Sequence, residues 1–148
     1  MGCKIEISRS VPPATRAVVA PLVRKYRFML PGWLNALSVR CWQNQNYDGE
    51  SDDAAKTVAI MKVDWEYRQA ALTIYPAFND KAPSFQDLTI AHEFGHIINA
   101  PMETWGDTFI ENAVADEGLR AFMKDDWRRM CEGAVEDMSA AIVRGLSA

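Results

Sequence analysis

Long apolar runs are missing from this chain. No stretch approaches the roughly 18 consecutive apolar residues that a membrane-spanning helix needs, so no membrane span is expected. Cysteine is scarce. Cys3, Cys41 and Cys131 are odd in number and show none of the short spacings of a zinc knuckle or redox motif, which excludes a disulfide scaffold and reads as reduced thiols of a cytoplasmic protein. An excess of positive charge is also absent: sixteen basic residues face twenty acidic ones, for a net charge of −4. A dedicated nucleic-acid binder presents a basic face, so none is expected here. No apolar segment of signal-peptide length follows Met1, and Glu6 stands where a myristoylation signal requires Ser or Thr. The expectation is a soluble, cytoplasmic protein.

What is present suits one folded domain spanning residues 1–148, with 49% hydrophobic and 24% charged residues. A chain of this length buries roughly two thirds of its unfolded surface and needs no disulfide to hold a core. Pro12-Pro13 opens a helix whose apolar line Val18, Val19, Leu22, Val23, Tyr26 passes an expected kink at Pro21 and ends at Pro31-Gly32. Strands are predicted over residues 37–42, 57–63 and 70–75, with a polar connection at 44–53. Pro76 has no N–H to donate, so the third strand is expected to end at, or lie on, a sheet edge.

Beyond residue 83 the chain is helical in character. Ser84, with Asp87 three residues on, resembles a capping box, and Pro101 is expected to stop that helix near Ala100. A break around residues 105–108 precedes a second helix at 109–123. A last helix is expected from Asp125-Asp126, whose charges suit a helix N-terminus, to Arg144 with Gly145 as its cap. The fold class is therefore α+β, with a small three- to four-stranded sheet packed on the helix that opens near Ser84 and on the helices after it.

The two histidines of the chain stand four apart in His92-Glu93-Phe94-Gly95-His96. Four residues is about one helical turn, so both imidazoles leave one helix face and can share a cation. Zinc is the natural choice, because neutral imidazole suits it and a catalytic site needs three protein ligands and an open position. Glu93 is angled toward the water rather than the metal and suits a general base. Gly95 costs about 1 kcal/mol against alanine inside a helix, which is tolerated where a neighbouring element must pack closely.

The third ligand must be a carboxylate or, less suitably, a cysteine. Glu103 and Asp107 are expected in a connecting turn, too near in sequence to fold back over the site. Glu111 and Glu117 on the middle helix remain open. Glu132 and Glu136 form the better pair: one turn apart beside the apolar seam Cys131, Val135, Met138, one can bind zinc and the other accept the outer N–H of a ligating histidine.

The segments LTIAHEFGHIINAP (residues 88–101) and EGAVEDMSAAI (residues 132–142) resemble the zincin fold of the gluzincin clan. The likeness is closest to its minimal single-domain members, the phage-encoded metallopeptidases and the family that cleaves phage repressors. In these proteins the distal helix carries a ligating Glu, a small apolar residue three later and a bulky-small pair after that. The pattern maps onto Glu132, Val135, Met138 and Ser139, so the resemblance implies Glu132 as ligand and Glu136 as the acidic residue behind a histidine. It further implies that an edge strand binds substrate peptide above the metal, a role that falls on Leu72, Thr73, Ile74 and Tyr75. The oxyanion donor is not evident; Tyr75, Arg128 and Arg129 are the candidates.

The function so implied is a zinc-dependent metalloendopeptidase that hydrolyses a specific protein, with His92, His96 and Glu132 on the metal and Glu93 as base. The alternative is a non-catalytic zinc-binding interaction module of phage or prophage origin. Trp33, Trp42, Trp65, Trp105 and Trp127 are spread along the chain and read as core packing.

Overall fold

The computed structural model describes residues 2–42 and 57–147. The polar connection expected at 44–53 lies outside the described residues. The protein is α+β, and its described residues form a four-stranded mixed sheet and three α-helices. Strand β1 is Lys4–Ile7, helix α1 Pro13–Lys25, strand β2 Ala36–Cys41, strand β3 Ala59–Asp64 and strand β4 Gln69–Ile74. Helix α2 is Pro83–Ala113 and helix α3 is Glu117–Ser147. Among the described residues no helix is long and apolar enough to cross a membrane.

The sheet order is β1-β2-β4-β3, with β1, β2 and β4 parallel and β3 antiparallel to β4. β1 is an addition to the three strands read from the sequence; four alternating residues at the chain start are too short to carry a periodic signal. The order also corrects the placement of the third predicted strand. β4 lies inside the sheet, bonded to β2 on one side and β3 on the other, and among the described residues the edge beside it is β3. Pro76 falls just past β4, at the start of a 3₁₀ turn, so its missing N–H removes nothing from either ladder.

Leu37 and Val39 of β2, with Leu72 and Ile74 of β4, point into one core with Val19, Val23 and Tyr26 of α1 and Ile90, Ala91, Phe94 and Ile97 of α2. Those α2 positions recur at helical spacing, so one face of the helix is buried on the sheet while the next faces α3. Tyr26 is fully buried, and its hydroxyl donates to Asp87 Oδ1 at 2.8 Å. Lys25 Nζ binds the same carboxylate at 2.7 Å, tying α1 to α2.

This pairing explains why the expected capping box does not form. Pro83 takes the first helical position with Ala82 as cap residue, and Asp87 is engaged by Lys25 and Tyr26. Nor does α2 stop at Pro101. It runs on to Ala113, and the break falls at residues 114–116, where the Asp116 carboxylate accepts the Leu119 N–H at 2.7 Å and starts α3. A helix-interior proline deletes one hydrogen bond and crowds one carbonyl; here α3, packed along α2, holds the helix through it. Asp125 and Asp126 thus lie within α3, which continues past Gly145 to Ser147.

Candidate metal centre

The sequence of α2 places His92 and His96 on one face, and α3 crosses that face. Two glycines set the approach. A β-carbon at Gly95 would lie 2.8 Å from Val135 Cγ1 and 3.2 Å from Met138 Cε, so α3 seats its side chains where α2 has none. At Gly106 a β-carbon would overlap the Trp127 indole, which lies against the bare backbone there. Val135 is fully buried by this contact, and the buried Ser139 hydroxyl turns back to the Val135 carbonyl at 2.7 Å.

With α3 so seated, Glu132 reaches the histidines. His92 Nε2 and His96 Nε2 are 3.2 Å apart, and Glu132 Oε2 is 3.6 Å from each. Zinc bonds of 2.0–2.2 Å at tetrahedral angles separate neighbouring ligand atoms by about 3.3 Å. The triangle has the size of one face of that tetrahedron, and two neutral imidazoles with a carboxylate are a donor set that zinc accepts. The three residues line a cavity of about 490 Å³, whose walls also include Met61 and Val63 of β3, Glu93 and Glu103 of α2, and Trp127 and Arg128 of α3.

Glu93 is buried in this cavity wall. Burial pushes its carboxyl up to about 7, and the Glu132 charge adds to this, while His96 and a hydrogen bond from the Met61 backbone N–H pull it back. His92 is lowered by burial first and then by its neighbour His96, against the opposing charges of Glu132 and Glu136. For His96 burial acts in the same direction but loses to the Glu103 carboxylate beside its Nδ1 and to the charges of Glu132 and Glu93, so its pKa is raised. The Glu103 carboxyl is correspondingly held below the usual range by His96.

Glu103 is the site residue that sequence reasoning placed wrongly. Because α2 continues through Pro101, Glu103 is not in a turn but two helical turns beyond His96, with its Oε1 3.5 Å from His96 Nδ1 and accepting from Asn99 Nδ2 at 2.9 Å. The signal was present in the spacing 92, 96, 99, 103, which is one helical stripe once the helix is allowed to run on. Glu136, assigned the place behind a histidine, is exposed and hydrogen-bonds to neither ring; His92 feels it only as a nearby charge.

The other candidates separate cleanly. Glu111 is paired with Arg120 and Lys124, and Glu117 sits exposed in the first turn of α3; neither belongs to the ligand cluster. Leu72, Thr73, Ile74 and Tyr75 are buried, and the strand residues among them have both backbone edges engaged, so they cannot accept a peptide strand. Tyr75 stacks on Trp42 and does not line the cavity. Arg128 does line it, whereas Arg129 turns to Asp125 and Asp126.

Among the described residues β3 is the strand beside β4 that pairs on one side only. Tyr75 N–H donates to the Val58 carbonyl at 3.0 Å, and alternation along the ladder then turns the backbone groups of Ala59, Met61 and Val63 away from β4. The same three residues line the cavity. No protein-family model, curated protein or solved structure matches this chain.

Proposed function

We propose that this protein is a zinc-dependent metalloendopeptidase of the gluzincin kind, with a zincin-like fold, acting on a protein substrate in the cytoplasm. The observation that carries the reading is the triangle of His92 Nε2, His96 Nε2 and Glu132 Oε2, with a further carboxylate, Glu93, buried beside it in one cavity. A structural zinc site closes with four protein ligands, whereas a catalytic one keeps three and an open corner. Among the described residues three donors converge.

Zinc held by His92, His96 and Glu132 would supply Lewis acidity for polarising a carbonyl and acidifying water near neutral pH. Glu93 takes the proton of the attacking water and delivers it to the leaving nitrogen as the C–N bond breaks and a carboxylate is released. Burial raises the Glu93 carboxyl, and a dication in the site would pull it back toward the ionised form that a base requires. The outward backbone groups of Ala59 and Val63, with the Met61 carbonyl (the Met61 N–H is taken by Glu93), offer an extended peptide a strand to pair with, so the role that the resemblance gives to Leu72–Tyr75 falls to β3. The three cysteines are unpaired, as suits a reducing compartment.

The test is digestion of a peptide library by zinc-reconstituted protein, read by mass spectrometry. Cleavage by the wild type that falls roughly 100- to 10,000-fold in Glu93→Gln, with zinc retained, supports the reading. Cleavage that survives the substitution, or none by zinc-loaded wild type, overturns it, the latter in favour of a non-catalytic binding module.

A further inference from the structure

We propose that Glu103 positions His96 for the metal: its carboxylate holds the Nδ1–H tautomer and fixes the ring plane so that Nε2 stays aimed at Glu132. This rests on the zinc reading above. An imidazole that binds a metal through Nε2 keeps its proton on Nδ1, and Nδ1 of His96 is the nitrogen that faces Glu103, at 3.5 Å. Nε2 of the same ring is the atom 3.2 Å from His92 Nε2 and 3.6 Å from Glu132 Oε2. One ring therefore bridges the carboxylate that orients it and the carboxylate that shares its metal.

Glu103 is itself held on three sides. Asn99, one turn earlier, donates to its Oε1 at 2.9 Å. Trp127 of α3 reaches its backbone carbonyl through Nε1 at 3.4 Å, and the indole is seated there because Gly106 has no side chain. The unbroken run of α2 through Pro101 keeps Glu103 in phase with His96, seven residues on and on the same face. Glu136 occupies the position that the gluzincin pattern assigns to this role, but no hydrogen bond joins it to either ring. In this chain the orienting carboxylate comes from the histidine helix itself.

The experiment titrates zinc into wild type, Glu103→Ala, Glu103→Gln and Asp107→Asn against a chromophoric chelator, with folding checked by circular dichroism. Ring N–H resonances of the zinc-loaded proteins are recorded alongside; the chain has two histidines, so the spectrum is simple. Glu103→Ala is expected to weaken zinc binding roughly 10- to 100-fold and to lose the downfield His96 Hδ1 resonance of a proton held by a carboxylate. Glu103→Gln, which still offers an acceptor oxygen, recovers part of the affinity, with that resonance moved upfield. Asp107→Asn, an acidic neighbour on the same cavity, leaves both unchanged.

Undiminished affinity in folded Glu103→Ala, or an unmoved Hδ1 resonance in Glu103→Gln, overturns the inference while leaving the zinc site standing. Wild type that takes up no zinc overturns both. Should Glu103→Ala not fold, the near-isosteric Gln variant decides by its Hδ1 resonance.

Discussion

Gly95 and Val135 form the contact that brings the two halves of the site together. The glycine faces inward between the histidine helix and the distal helix, and a β-carbon placed on it would lie 2.8 Å from Val135 Cγ1. Val135 is stiff at its first torsion and fully buried, so it has no room to yield. Gly95→Ala therefore sets a gain of about 1 kcal/mol in helix propensity against about 1–3 kcal/mol of overpacking, and the second is expected to prevail. Thermal unfolding should show a lowered Tm, and zinc affinity should fall because Glu132, one turn from Val135, is pushed off with α3. Adding Val135→Ala removes the clashing methyl and should restore much of the zinc affinity.

β3 offers a paired test of the substrate edge. Val63→Pro removes an N–H that points away from β4, a position where proline is tolerated at a sheet edge. Ile60→Pro removes one that faces the β4 ladder opposite Thr73. Both variants are compared by thermal unfolding and by KM for extended peptides. Val63→Pro should stay folded with KM raised, and Ile60→Pro should be the less stable of the two. The reverse order of stabilities would show that the outward and inward faces of β3 have been assigned the wrong way round.

Alkaline stability tests the tie between α1 and α2. Burial first, and then the hydrogen bond to Asp87, raise the Tyr26 phenol above its ordinary value near 10. Lys25 is raised as well, chiefly by its hydrogen bond to Asp87. Groups raised on folding contribute stability that is complete below the unfolded pKa and is lost as pH climbs through the folded one. Denaturant midpoints should therefore be flat with respect to these groups at neutral pH and fall above about pH 10. Tyr26→Phe should lose about 1.5 kcal/mol at pH 7 through the missing bond to a charged acceptor, yet fall less steeply above pH 10. An equal alkaline slope in both proteins would assign the loss to Lys25.

The parts of the molecule legible in the sequence are those set by local periodicity. His92, Glu93 and His96 sit one helical turn apart by arithmetic alone, and Glu132 with Val135 lies on one face of a later helix for the same reason. Features decided by tertiary packing were not legible. Pro101 reads as a stop, but the contact of α2 with α3 carries the helix through it, and Glu103 joins the site only as a consequence. Pro76 reads as an edge signal, but it lies beyond the strand, and strand order depends on pairings between residues distant in the chain. Gly95 was legible as a demand for close packing, though not as a demand made by Val135 and Met138.

The most direct measurement of the central claim is zinc stoichiometry and affinity in wild type, Glu132→Ala and Glu111→Ala, each checked for folding. One zinc per wild-type chain is expected, with affinity lost on removing the Glu132 carboxylate and unchanged on removing that of Glu111, which is occupied with Arg120 and Lys124. Wild type that binds no zinc, or a Glu132→Ala variant that binds it as tightly as wild type, would contradict the assignment of His92, His96 and Glu132 as the metal site.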